Sequence, residues 1–271
     1  MTVSQLEGFR KALQGTANRE GLSIAIGSGK GGVGKSSFAL SLAAMLAQRG
    51  GSTRLVDADP GLADLNIFLG INPLLHWGHF VKGEKTLAEV TQKQVLPGLD
   101  FVHGFSGVID ASWMQGEAAQ KLVQGIQDDS AYAWTIYDVG AGLSEPNLVF
   151  LTAADWMLLV LSPELTSLAD AYGTLKTVVR RNSKQRIGIV VNQAENVEQA
   201  RNVYLNLVKI AAQFLGIRVP LLGWIPRDPE LPRSLARQKP LTIEQPAGPY
   251  AMAVQGILKN LESKIFPEEK S

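Results

Sequence analysis

The chain has 271 residues, 45% of them apolar, enough for one large α/β domain with a substantial buried core. Twenty-six basic and twenty-five acidic side chains leave a net charge of +1, so no overall field draws the protein to DNA or to an anionic membrane. The absence of cysteine excludes disulfides, thiolate zinc and iron–sulfur ligation by this chain, and no apolar run reads as a signal segment or membrane span, so a cytoplasmic protein is expected.

Residues 1–20 stand apart from the rest of the chain. Ser4-Gln5-Leu6-Glu7 opens with a Ser-x-x-Glu capping box, and Leu6, Phe9 and Leu13 share one helical face. A short amphipathic helix of this kind is suited to docking in a partner's groove.

An apolar strand is expected over residues 22–26, followed at once by Gly27-Ser-Gly-Lys-Gly-Gly-Val-Gly-Lys-Ser-Ser37 and a helical pattern over 37–48. Phosphate oxygens need several N–H donors converging on one point. Gly29, Gly31, Gly32 and Gly34 let the backbone turn tightly and approach closely, and the helix starting near Lys35 adds its positive end. In this cradle, which includes Val33 and Ser37, Lys35 is expected to hold the β- and γ-phosphates of ATP and the Ser36 hydroxyl to ligate Mg²⁺.

The next strand, 53–56, runs into Asp57-Ala58-Asp59, whose spacing puts both carboxylates on one side of an extended segment. Strand 99–102 follows, and strand 134–137 closes on Asp138, with Gly140 and Gly142 just beyond. An apolar strand ending in Asp after a phosphate loop is a Walker B arrangement, so Asp138 is expected in the metal shell. Strands 156–161, 187–191 and 221–225 come next, the second ending at Asn192 and the third leading into Pro226-Arg227-Asp228. Helical patterns cover 166–180 and 195–214. The strands are apolar on consecutive residues, the mark of a sheet covered on both faces. The fold class is therefore α/β, a doubly wound, mostly parallel sheet with helices on both faces, with residues 21–271 as one domain. Within 250–266, Val254, Ile257, Leu258, Leu261 and Ile265 form a helical stripe that suits either a core or a membrane surface.

The run Lys30-Gly-Gly-Val-Gly-Lys-Ser36 resembles the deviant Walker A motif of the MinD/ParA ATPases. The resemblance implies a MinD-like fold, slow Mg-dependent ATP hydrolysis, and an ATP-dependent homodimer in which Lys30 reaches the other subunit's nucleotide. It also implies that Asp59 positions the attacking water, that Asp57 lies near magnesium, and that Asn192 with Pro226, Arg227 and Asp228 surrounds the base. Lys30, Lys35 and Asp59 would be the catalytic residues.

Within that family, Asp57-Ala-Asp-Pro-Gly-Leu-Ala-Asp-Leu-Asn-Ile-Phe-Leu-Gly70 is similar to the extended second motif of the FlhG (FleN, YlxH) regulators of flagellar number and position, with Pro60 replacing an aliphatic residue. The stretch 73–90, with His79, Gly83, Thr86 and Leu87, and Ser162-Pro-Glu-Leu-Thr-Ser-Leu-Ala-Asp-Ala-Tyr172 resemble the same subgroup, with Leu165 in place of a proline. Residues 4–10 are similar to the activator helix with which those regulators stimulate the GTPase FlhF. Gln5 and Arg10 match, Phe9 replaces Leu, and Ser4 and Leu6 depart. The resemblance thus implies an FlhF-type GTPase partner bound through Gln5, Phe9 and Arg10, contacts with flagellar basal-body or regulatory proteins, and peripheral membrane contact.

Two other functions compete, a MinD-like division-site regulator and a ParA-type partition ATPase binding DNA non-specifically. For the second, Arg218, Arg227, Arg233, Arg237 and Lys239 supply a modest basic cluster diluted by Asp228 and Glu230. No sequence-specific nucleic-acid reading is expected.

Overall fold

The computed structural model describes residues 21–59, 64–104 and 116–267. Residues 1–20, with the expected partner helix and its Gln5, Phe9 and Arg10, lie outside the described residues, as does the Pro60-Gly61-Leu62-Ala63 part of the second motif.

Eight strands form one sheet: β1 (Leu22–Gly27), β2 (Thr53–Ala58), β3 (Thr91–Leu96), β4 (Leu99–Val102), β5 (Trp134–Val139), β6 (Trp156–Leu161), β7 (Arg186–Ala194) and β8 (Leu221–Pro226). Their order is β3-β4-β2-β5-β1-β6-β7-β8, parallel throughout except for β3, which runs antiparallel to β4. The seven strands read from apolar runs are all present. β3 was not foreseen, because its exposed Gln92, Lys93 and Gln94 look like loop. It is an edge strand with only one neighbour, so polar side chains cost it little.

The sheet is covered on both faces, and side-chain alternation splits each strand between two cores. Ile24, Ile26, Leu55, Ile136, Leu158 and Val160 pack on one face with α1 (Lys35–Gln48) and the C-terminal helix. Ala25, Val56, Tyr137, Met157, Leu159 and Leu161 pack on the other with α5 (Glu117–Gln127), α6 (Glu145–Ala153), α7 (Leu165–Arg181) and α8 (Val197–Leu215). Short helices α2 (Leu65–Leu69), α3 (Trp77–Val81) and α4 (Leu87–Val90) fill the β2–β3 crossover, and α9 (Glu230–Ala236), α10 (Leu241–Glu244) and α11 (Pro249–Ile265) follow β8.

Of the two readings of the C-terminal stripe, the fold favours the core for four of its five residues. Val254, Ile257, Leu258 and Leu261 of α11 are core, each at most 1% exposed. A Cβ on Gly223 would come within 2.6 Å of Ile257, and the Asn260 carboxamide donates to the Leu222 carbonyl at 2.8 Å, so the helix lies flush on β8. At its start Tyr250 is buried, within 3.1 Å of the Ser41 hydroxyl and donating to the Ser37 carbonyl at 3.3 Å, which ties α11 to α1. The apolar face that could have met lipid is spent inside the protein. Among the described residues no helix is long and apolar enough to cross a membrane.

Candidate functional site

Parallel sheets bind ligands beyond the carboxyl ends of their strands, where the order of the connections reverses. The candidate residues gather at that edge. β1 delivers the phosphate loop, β2 delivers Asp57 and Asp59, β5 delivers Asp138, β7 delivers Asn192, and β8 delivers Pro226.

Helix α1 begins at Lys35, where the phosphate-loop motif puts it, because Gly34 turns the chain in the left-handed region at φ 85°. A Cβ at Gly34 would also collide with the Asn192 carboxamide at 2.4 Å. No side chain caps the helix, and no acidic residue sits in its first turn. Its leading N–H groups are therefore open to an anion. Lys35 is 8% exposed and acts electrostatically on Asp138, and the Ser36 side chain hydrogen-bonds the Asp138 carboxylate.

Asp57 and Asp138 face each other in register on β2 and β5, 1% and 2% exposed. Burial, then the neighbouring Asp138, pushes Asp57 well above the usual carboxylate range. Asp138 is pushed up to about 7, chiefly by burial, against the lowering effects of the Ser36 hydrogen bond and the Lys35 charge. Asp57 Oδ2 and Asp138 Oδ1 are buried without a protein partner. Two orphaned carboxylate oxygens beside a serine hydroxyl suit Mg²⁺, which takes few protein ligands and completes its shell with phosphate oxygens and water. No cluster of three or more His, Cys, Asp or Glu able to hold a metal occurs among the described residues.

Asp59 is half-buried and lies over the next loop, where a Cβ at Gly140 would meet its carboxyl carbon at 3.1 Å. Its N–H donates to Asp57 Oδ1 at 3.2 Å. Trp77 Nε1 donates to the Asp57 carbonyl at 3.0 Å, so α3 props the end of β2.

Lys30 sits at the rim, its ammonium paired with Glu164 and donating to the Thr166 hydroxyl at 3.0 Å. Asn192 is 2% exposed, and its Nδ2 donates to the Val33 carbonyl at 2.8 Å while its Oδ1 accepts from the Gln193 N–H at 2.9 Å. It braces the loop from β7. Asp228 accepts from the Glu230 N–H at 2.9 Å, which starts α9, and the Arg227 N–H donates to the Ala194 carbonyl at 3.0 Å.

Sequence reasoning missed two braces. Asn147 of α6 donates to the Gly140 and Ala141 carbonyls at 3.0 and 3.1 Å, fixing the loop after Asp138. Ser144-Glu-Pro146, a capping serine with proline in the first turn, announces that helix but not the reach of Asn147. The other brace is Gln193. A cavity of about 340 Å³ lies at the opposite, amino-terminal edge of the sheet, beside Ser23, Arg54, Tyr132 and Asp155, remote from all of these groups.

A mostly parallel sheet with an open glycine-rich turn after its first strand, and carboxylates ending the neighbouring strands, defines a nucleotide-binding protein of the phosphate-loop class. The CobQ/CobB/MinD/ParA nucleotide binding domain matches residues 24–241, and the chain belongs to that family. It is similar to the antiactivator FleN of Pseudomonas aeruginosa, 28% identical over 249 residues, 90% of this chain and 87% of FleN. It is likewise similar to the flagellum site-determining protein YlxH of Helicobacter pylori, 30% identical over 246 residues, 89% of this chain and 82% of YlxH. Among solved structures, MinD of Pyrococcus horikoshii complexed with Mg-ADP matches with a TM-score of 0.72 at 22% identity, covering 92% of this chain and 99% of MinD.

Proposed function

We propose that the protein is a slow, Mg-dependent ATPase whose ATP-bound form dimerises and regulates the number or placement of flagella. The observation that carries this reading is the uncapped start of α1 with Lys35, Ser36 and the buried Asp57–Asp138 pair at one point. The likeness to FleN and YlxH supports the flagellar role, and the Mg-ADP complex of a structural neighbour supports the cofactor.

In this mechanism the loop N–H groups and Lys35 hold the phosphates, and Asp59 orients the attacking water in a loose transition state that needs little proton abstraction. Ser36, Asp138 and Asp57 would hold magnesium, which when bound would supply positive charge to the phosphates. Lys30 leaves Glu164 and completes the other subunit's pocket, so hydrolysis depends on association. Asn192 and the Pro226–Arg227–Asp228 turn border the base. Residues 1–20 present Gln5, Phe9 and Arg10 to an FlhF-type GTPase.

A DNA-binding partition role is less well supported. Two of the five basic residues it would use are paired, Arg233 with Glu230 and Arg237 with Glu244.

The test is sedimentation and phosphate release with ATP and Mg²⁺ on wild type, Lys35→Ala, Lys30→Ala and Asp59→Ala. Lys35→Ala is expected to lose ATP binding, Lys30→Ala to bind ATP without turnover, and Asp59→Ala to dimerise without hydrolysis. A wild-type protein that neither binds ATP nor self-associates with it would refute the reading. For the partner, GTP hydrolysis by an FlhF-type GTPase should rise with the full chain and not with a chain lacking residues 1–20.

A further inference from the structure

We propose that Gln193 is a positioning residue for the phosphate loop. Side by side with Asn192, it clasps the loop from behind and aims two successive backbone N–H groups at the phosphates.

In a regular strand, consecutive side chains point to opposite faces, so Asn192 and Gln193 should not reach the same object. They do, because Gln193 adopts φ 61° and the β7–β8 register shifts between Val191 and Ala194. A left-handed backbone at a non-glycine residue is strained and needs a local cause. The cause is visible on both sides of the residue. The Gln193 N–H is held by Asn192 Oδ1 at 2.9 Å, and its Nε2 donates to the Gly32 carbonyl at 3.1 Å. The Asn192 carboxamide takes the next carbonyl, Val33, at 2.8 Å.

A trans peptide carries its C=O and N–H in opposite directions. Anchoring the Gly32 carbonyl to Gln193 turns the Val33 N–H away from β7. Anchoring the Val33 carbonyl to Asn192 does the same for the Gly34 N–H. Two adjacent donors are thus fixed before any ligand arrives, which is the preorganisation a phosphate cradle requires. Gly32 is also two residues from Lys30, so the same clasp sets where the signature lysine departs from the loop.

This inference rests on the nucleotide reading of the site, and the experiment separates the two. Gln193→Gly removes the clasp and relieves the strain, whereas Gln193→Ala removes the clasp and keeps the strain. Gln94→Gly, at a second left-handed glutamine on edge strand β3, is the control for strain relief alone. Hydrogen exchange at residues 31–34 is measured first without nucleotide, then ATP affinity is measured with Mg²⁺ present.

Both Gln193 variants are expected to exchange faster in the loop and to bind ATP roughly five- to tenfold more weakly, the effect of losing one hydrogen bond. Gln193→Gly should melt at or above wild type, and Gln94→Gly should bind ATP normally. If affinity instead follows melting temperature, with Gln193→Gly binding as wild type does, the residue is merely structural and the proposal fails. Loop exchange at the wild-type rate in both variants also overturns it. A wild-type protein with no ATP affinity, by contrast, overturns the reading of the site, while the exchange data still decide whether the clasp exists.

Discussion

Asp57 and Asp138 occupy paired positions on adjacent parallel strands, both sealed from solvent, with one oxygen of each lacking a protein donor. Two like charges so placed cannot both ionise cheaply without a cation between them or beside them. A carboxyl whose folded pKa is raised stabilises the fold only below its unfolded value, and that contribution is lost as pH rises through the folded value. Asp138 is raised from 3.8 to about 7. The metal-free protein should therefore melt at lower temperature as pH is taken from about 5 to about 8. Asp138→Asn should flatten that slope, and Mg-ATP should restore stability at the alkaline end. A metal-free melting curve that rises over this range would refute the arrangement.

The acid limb has a different origin. His76 caps α3 through Nδ1, accepting from the Gly78 N–H at 3.1 Å, and burial with the adjacent His79 lowers its pKa from 6.5 to about 4. A depressed histidine stabilises the fold above its unfolded pKa and loses that contribution as pH falls toward the folded one. His76→Asn, which retains a capping acceptor without a titrating ring, should reduce the loss of stability on acidification from pH 6.5 to about 4. An unchanged acid limb would show that His76 takes no part in it.

Lys30 is held in the single chain by Glu164 and Thr166, with side-chain exposures of 38% and 61% for the ion pair. A pair that open is worth at most about 1 kcal/mol. Freeing the lysine with Glu164→Gln should lower the ATP concentration needed for half-maximal dimer by no more than about fivefold, the equivalent of that energy. A weaker dimer in this variant would mean that Glu164 acts across the interface instead.

Leu258 of α11 is fully buried against β8. Leu258→Ala should cost about 2–5 kcal/mol of stability through loss of packing and the cavity left behind. Vesicle flotation of the folded wild-type protein tests the same point from the other side. Binding of anionic vesicles through the buried stripe would require exposing this core, so the folded protein is expected not to float through it, and flotation that persists after Met252→Asp at the exposed face would contradict the packing described.

Arg54 is 1% exposed near the start of β2, paired with Asp129 at 2.7 Å and donating to the Ile126 carbonyl and the Thr135 hydroxyl at 3.1 and 3.3 Å. Its guanidinium lies 4.4 Å from the Tyr132 ring centroid. Asp129→Ala strands a buried cation and should cost about 3 kcal/mol, the low end for a broken buried pair because Asp129 is itself 35% exposed. A shift in the urea midpoint measures it, and an unchanged midpoint would show that the guanidinium is satisfied without its acid.

The phosphate loop was legible because its chemistry is local: glycines, two lysines and a serine in one run, between an apolar strand and a helix. The seven buried strands were legible because a short run of consecutive apolar residues between turn signals suits a strand covered on both faces and little else. Long-range placement was less so. Arg54 reads as an interruption of an apolar strand, and only the fold shows Asp129 and Tyr132 arriving to satisfy it. Gln193 carries no signal, since glutamine has no particular preference for the left-handed region. The α11 stripe is amphipathic whether it faces lipid or core, and what decides is Gly223, whose missing side chain lets Ile257 settle on the sheet.

β1 is translated before the other seven strands, yet its hydrogen-bonded neighbours are β5 and β6. On the ribosome it stays unbracketed until residue 161 has cleared the exit tunnel, so the nucleotide pocket cannot be ordered before β6 is available. Residues 1–20 emerge earlier than any part of that pocket.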